Sequence, residues 1–247
     1  MHDHPEDNFL RQEALGKMIL AEKPRTIIML GDGSRHDAFS TYDKYTQWTA
    51  REEIAAWHHS LSLIFGPLQD WNRRQRSHRH KQHEPRTVFT MGNHEERMFR
   101  ELMENPHGFG SLIDFDEITS KGKHFDEVYE YGDVVNVNGI DYTHAARNKM
   151  NRPMALSTLA KQSRNHTIVG HTHTMEVRST PLLGPENGVR TTLVAPAFMD
   201  MQNKEPYCRN ATTGWVYGFL KVRPSGSPTV PFGYEYVSTD RLLEEWL

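Results

Sequence analysis

Four short stretches of this chain carry metal-binding residue types, and each closes a run of apolar residues. Thr26–Leu30 leads to Gly31-Asp32, and Thr87–Met91 leads to Gly92-Asn93-His94-Glu95. Ile140–Thr143 ends at His144, and Thr167–Val169 ends at Gly170-His171-Thr172-His173. A carboxylate, an amide oxygen and imidazoles together suit Mn2+, Fe or Zn2+ better than Ca2+, which prefers oxygen alone, or a thiolate-seeking metal. In extended chain, a His-x-His pair turns both imidazoles to one side.

Something must bring these stretches together. Thr26–Leu30 and Thr87–Met91 are aliphatic or β-branched without alternation, the pattern of strands covered on both faces in a parallel sheet. The carboxyl ends of such strands are where open α/β sheets place their chemistry. Helices are expected at Asn8–Glu22, Trp48–Trp71, Glu95–Glu104, Pro153–Arg164 and Asp240–Leu247, the last capped by Asp240 or Thr239. Gly66-Pro67 is expected to break or kink the second of these. Short strands are expected at Val128–Tyr131, Val134–Val137 and Ile140–Thr143, with Asn138-Gly139 as a hairpin turn between the last two. Further strands are expected at Met175–Arg178, Thr191–Val194, Trp215–Val222 and Pro231–Val237. Residues 107–126 read as a lid or loop with one short helix, and Gly33–Lys44 as a polar loop. The sum is one α/β domain over residues 1–247, with two packed sheets and helices outside.

Composition narrows the class. With 247 residues the chain can bury a sizeable core, and its net charge of −3 does not by itself imply nucleic acid or membrane binding. The single cysteine, Cys208, excludes an internal disulfide and a cysteine-built zinc site, and fits a reducing compartment. No apolar run reaches 18 residues, and the polar start Met1–Asp7 is unlike a signal peptide, so a cytoplasmic protein without membrane association is expected. Fifteen histidines favour metal chemistry. The segment Arg73–Arg86 is basic and histidine-rich. If it rims the site, it favours a polyanionic substrate, nucleotide or nucleic acid.

Gly31-Asp32, Gly92–Glu95, His144 and Gly170–His173, in this order, resemble the calcineurin-like metallophosphoesterase family, and His2–Asn8 and Ser40–Lys44 resemble its phage-encoded members. The resemblance covers about His2 to His173. It implies a four-layer α/β/β/α fold and a two-metal site holding Mn2+, or alternatively Fe, Zn2+ or Ni2+. Asp32 would bridge the ions; His173 and His2 would complete one shell, and Asn93, His144 and His171 the other. A metal-bridging hydroxide would attack phosphorus in a monoester or diester, with His94 as general acid and Asn93 and His94 contacting substrate. In a phage-encoded member, that activity would lie in the host cytoplasm.

The chain departs from the pattern in two places. His2 aligns with the histidine of the family's opening Asp-x-His, which puts that aspartate and its strand before residue 1 unless Asp3 or His4 replaces it. Gly31-Asp32-Gly33-Ser34 is followed by Arg35 where the family has an aspartate that orients the acid histidine. Asp37 is the candidate for that role, and Arg35 a candidate phosphate ligand. These departures support another reading, a binding or regulatory protein that keeps the fold but has lost activity; a phosphoprotein phosphatase is a second enzyme reading, ranked lower because the basic segment suits polyanions better.

Overall fold

The computed structural model describes residues 1–40, 48–104, 114–182, 188–202, 208, 213–227 and 229–247. Residues 41–44 of the expected Ser40–Lys44 region and residues 107–113 of the expected 107–126 lid lie outside these residues. The described residues form a mixed α/β structure with several sheets. Helices α1 (Leu10–Glu22), α2 (Ala50–Ser77), α3 (Asn93–Glu104), α4 (Phe115–Thr119), α5 (Leu156–Gln162) and α6 (Thr239–Trp246) are interspersed with strands.

The first sheet contains β1 (Thr26–Met29), β2 (Arg86–Thr90) and β3 (Glu127–Tyr129), all parallel, with β2 in the middle. The second is five-stranded, in the order β4 (Val135–Val137), β5 (Ile140–Thr143), β6 (His166–Val169), β8 (Val189–Val194), β7 (Val177–Pro181). An antiparallel pair, β9 (Gly218–Arg223) with β10 (Gly233–Ser238), completes the set. Asn138 and Gly139 both take positive φ, 52° and 82°, which is the turn geometry that matches hairpin twist.

Burial follows the sequence pattern with one difference. β2 and β6 are buried almost throughout, as continuous apolar runs require. β1 is only partly buried because it is an edge strand of its sheet. Its side chains still divide between two cores. Ile27 packs with Trp57, Leu61, Ile64, Phe65 and Phe89 on the α2 side. Ile28 and Leu30 pack with Val88, Val137, Ile140, Ile168 and Leu193, filling the space between the first and second sheets. α5 covers the outer face of the second sheet through Leu159 against Val169 and Val194.

α2 corrects two expectations. It runs 28 residues without ending at Gly66-Pro67, and it absorbs Arg73–Ser77, so the basic segment is helical at its start. Pro67 leaves the Leu63 carbonyl without its helical N–H donor. α1 packs against that point through Gly16, where a Cβ would lie 2.2 Å from the Leu63 oxygen. A side chain there would force the helices apart. A capping box at Thr49 and Glu52 starts α2. α6 is capped by Ser238, one residue before the expected Thr239 or Asp240. α5 begins at Leu156, three residues later than the expected Pro153.

Candidate metal centre

The carboxyl ends of β1, β2, β5 and β6 converge. Asp32 follows β1, Asn93 opens α3 straight after β2, His144 follows β5, and His171 and His173 follow β6. β1 and β2 are parallel neighbours, as are β5 and β6, so their carboxyl ends lie at the same end of the two facing sheets. The first residues of the chain join them: His2 N–H donates to the Asp32 carbonyl at 2.6 Å and Asp3 N–H to the Gly33 carbonyl at 2.9 Å.

Asp32 stands between two groups of donors. On one side His144 Nε2 lies 3.3 Å from Asp32 Oδ2, and 3.1 Å from Asn93 Oδ1. His171 Nδ1 lies 3.3 Å from His144 Nε2 and 2.9 Å from Asn93 Oδ1. On the other side His2 Nε2 lies 3.5 Å from Asp32 Oδ2 and 3.3 Å from His173 Nε2. Two sets of ligand atoms, His2–Asp32–His94 and Asp32–His144–His171, each fit within 4.8 Å, the spacing of groups that could hold a metal ion. All of the expected metal ligands, His2, Asp32, Asn93, His144, His171 and His173, thus meet in one place.

The donor set fits cations. His144 Nδ1 donates to the Leu30 carbonyl at 2.6 Å, which leaves a lone pair on Nε2. That lone pair faces the Asp32 carboxylate and the Asn93 amide oxygen, an arrangement of acceptors that calls for a positive charge among them. Burial pushes the His171 imidazole down to about 4, with His144 adding to the effect. Burial, then His2, holds His173 well below the usual imidazole range. Both are neutral and ready to coordinate. Burial alone would raise the Asp32 carboxyl, but His144, His94, His2 and His173 more than reverse this, so it stays ionised. His2, Asp32, His171 and His173 all adopt positive φ, between 51° and 67°. Left-handed backbone at non-glycine residues is uncommon and gathers at functional sites.

Glu95 holds this arrangement and was not among the expected site residues. It is 2% exposed and sits at the third position of α3. Its carboxylate accepts N–H bonds from Gly92 at 2.7 Å, Asp32 at 3.0 Å and Gly33 at 2.8 Å. One anion therefore ties the end of β1 to the end of β2. The signal was present in the sequence: Gly92-x-x-Glu95 before a helix is the acidic half of a capping box. Asp32 Oδ1 in turn accepts the His94 N–H at 3.1 Å, placing a second carboxylate at the α3 amino terminus. Gly92 makes room for it, since a Cβ there would fall 2.1 Å from Asp32 Oδ1.

His94 is 1% exposed, and its ring stands 4.7 Å from that of His2. Its Nδ1 donates to the backbone carbonyl of Arg35. Asp37 therefore does not take the orienting role expected of it; it belongs to a separate cluster with His4 and Glu53. Arg35 is 3% exposed, and its guanidinium acts electrostatically on His4 and Glu53. Arg97 Nη2 lies 3.3 Å from His94 Nε2. Trp215 and Tyr131 flank the centre, their rings 5.0 Å and 5.8 Å from those of His173 and His144.

The basic segment does not rim this site. His83 Nε2 bonds the Pro24 carbonyl and Arg86 pairs with Thr26, so the segment lies at the amino ends of β1 and β2. The metal-type ligands lie at the other ends. α2 gives the same answer: Glu53 near its start is close to the site loops, and Arg73 is about 30 Å further along the helix. Among the described residues, no helix is long and apolar enough to cross a membrane. No protein-family model matches the chain, and no curated protein matches it.

Proposed function

We propose that the protein is a metal-dependent phosphoesterase of the calcineurin-like type, with the four-layer α/β/β/α arrangement of that family. The observation that carries this reading is the convergence of two ligand groups on a shared, buried Asp32. The fold reading rests on α2 packing on the first sheet, the sheets packing on each other, and α5 packing on the second sheet.

A pair of divalent cations, Mn2+ first among the candidates and Fe, Zn2+ or Ni2+ the alternatives, supplies Lewis acidity toward a phosphoryl group and acidifies a water. The chain's residues do the rest. Asp32, His2 and His173 hold one side, and Asp32, Asn93, His144 and His171 the other. Glu95 fixes the two strand ends at their working separation. The Arg35 carbonyl holds the His94 Nδ1 proton, and the doubly protonated ring gives the leaving oxygen the proton on Nε2. Arg97, beside that nitrogen, supplies a forked donor for phosphate oxygens. The substrate is a phosphate monoester or diester. A nucleic-acid preference loses its support with Arg73–Arg86 placed away from the site.

The test is turnover of a generic aryl phosphodiester and an aryl phosphomonoester with Mn2+, by wild type and His94→Ala. Loss of an acid catalyst predicts a drop of about 10²–10⁴ in kcat with metal content retained. Metal-loaded wild type with no turnover of either ester favours the reading of a metal-binding protein without hydrolytic activity.

A further inference from the structure

Away from Asp32, a second kind of cluster joins three segments. His4 lies in the first loop, Asp37 opens a short 3-10 turn (Asp37–Phe39), and Glu53 is in the first turn of α2. A ring nitrogen of His4 and one carboxylate oxygen each of Asp37 and Glu53 lie within 4.8 Å of one another. The three residues are 2%, 7% and 0% exposed. We propose that His4, Asp37 and Glu53 form a third divalent-cation site, distinct from the two ligand groups that share Asp32.

Two observations point to a ligand. Asp37 Oδ2 is buried and has no hydrogen-bond partner among the described residues. Glu53 accepts the Asp37 N–H at 2.8 Å on Oε1 and the Ala38 N–H at 3.2 Å on Oε2, which leaves a further lone pair on each oxygen. Two carboxylates buried side by side need compensating charge. Arg35 supplies one positive charge within electrostatic reach of Glu53 and His4. Burial pushes the Glu53 carboxyl up to about 7, and a divalent ion would hold both carboxylates ionised.

The ligand types select the ion. One imidazole and two carboxylates suit Mn2+, Fe2+ or Zn2+ and leave positions open for water. His4 Nδ1 accepts the Glu6 backbone N–H at 3.3 Å, and the Glu6 carboxylate stands 3.8 Å from it. A cation here would pin the 3-10 turn to α2 and to the first loop. That turn begins two residues after Arg35, whose carbonyl orients His94. The site would thus set the position of the acid histidine from outside the dinuclear cluster. Its existence does not depend on the phosphoesterase reading.

The test counts ions. Full-length protein is saturated with Mn2+, and separately with Zn2+, and bound metal is measured by native mass spectrometry and elemental analysis. Wild type is expected to hold three ions per chain, and Asp37→Asn and Glu53→Gln two. His144→Ala combined with His171→Ala is expected to retain the ion bound by His4, Asp37 and Glu53. A thermal midpoint that rises with metal in the double His variant, and does not rise when Glu53→Gln is added, is the second readout. Wild type and folded Asp37→Asn saturating with the same number of ions overturns the proposal. So does a third ion that persists in folded Asp37→Asn and Glu53→Gln. If Glu53→Gln does not fold, the Asp37→Asn and wild-type counts decide.

Discussion

Glu95→Gln probes the claim that the site is held together by backbone bonds to one buried anion. The carboxylate accepts three N–H groups, two on Oε2 from Asp32 and Gly92 and one on Oε1 from Gly33. Glutamine can keep its oxygen at the Oε2 position and retain two bonds, but they become neutral ones. A hydrogen bond to a charged group contributes about 1.5–3 kcal/mol against about 0.5–1.5 for a neutral one. The amide nitrogen then meets the Gly33 N–H donor to donor, and a buried unpaired donor costs about 1–3 kcal/mol. Removing a negative charge near Asp32 relieves some repulsion, so the net loss is set at about 3 kcal/mol. That is a large part of the roughly 5–15 kcal/mol that keeps a domain folded. Urea denaturation of metal-free wild type and Glu95→Gln measures it, and chelator competition measures metal affinity in parallel. We expect the stability loss together with metal binding weakened about 10–100-fold, the effect of losing a group that orients ligands. A variant within about 0.5 kcal/mol of wild type, with unchanged affinity, would refute the clamp.

Three further outcomes follow from the same geometry. Replacing Arg73, Arg74 and Arg76 with glutamine leaves ester turnover within about twofold, because these residues lie on the far end of α2; salt-dependent loss of turnover in that variant would restore a role for them. Gly92→Ala drives a Cβ into Asp32 Oδ1, and is expected to lower metal affinity at least about tenfold by titration calorimetry, whereas unchanged affinity would show that the loop yields freely. His124, 6% exposed and stacked on Phe65, is pushed from 6.5 down to about 4 by burial, with Lys123 and His58 adding to this. The unfolded chain therefore binds the extra proton between these values, and stability is present in full above about 6.5 and falls as pH drops through about 4. The ceiling on this contribution is about 3 kcal/mol. His124→Gln should flatten that part of the stability–pH curve relative to wild type; an identical slope would remove His124 from the acid response.

Much of the site was legible because its ligands follow strands whose unbroken apolar runs announce burial. Thr87–Met91 and Thr167–Val169 needed no tertiary information to be read as strands, and each leads straight into metal-type ligands. The sequence was less informative where tertiary packing overrides a local rule. Gly66-Pro67 reads as a break or kink, and the helix runs past it, with Gly16 of α1 beside the carbonyl that the proline leaves unbonded. Arg73–Arg86 reads as an electropositive rim, but charge alone does not say which end of a parallel sheet a segment reaches. Asp37 was matched to a role by its distance along the chain from Asp32. The left-handed His36, with φ of 50°, turns the loop so that a carbonyl takes that role and the carboxylate points elsewhere. Glu95 was overlooked because capping residues are read as helix starts, and here the cap also joins two strands.

The most direct measurement of the central claim is anomalous diffraction from crystals of protein saturated with Mn2+. The account predicts two peaks roughly 3.5–4 Å apart on either side of the Asp32 carboxylate. One peak should have His2 and His173 within bonding distance, the other Asn93, His144 and His171. No anomalous density at Asp32, or ions bound only at other places on the chain, would contradict it.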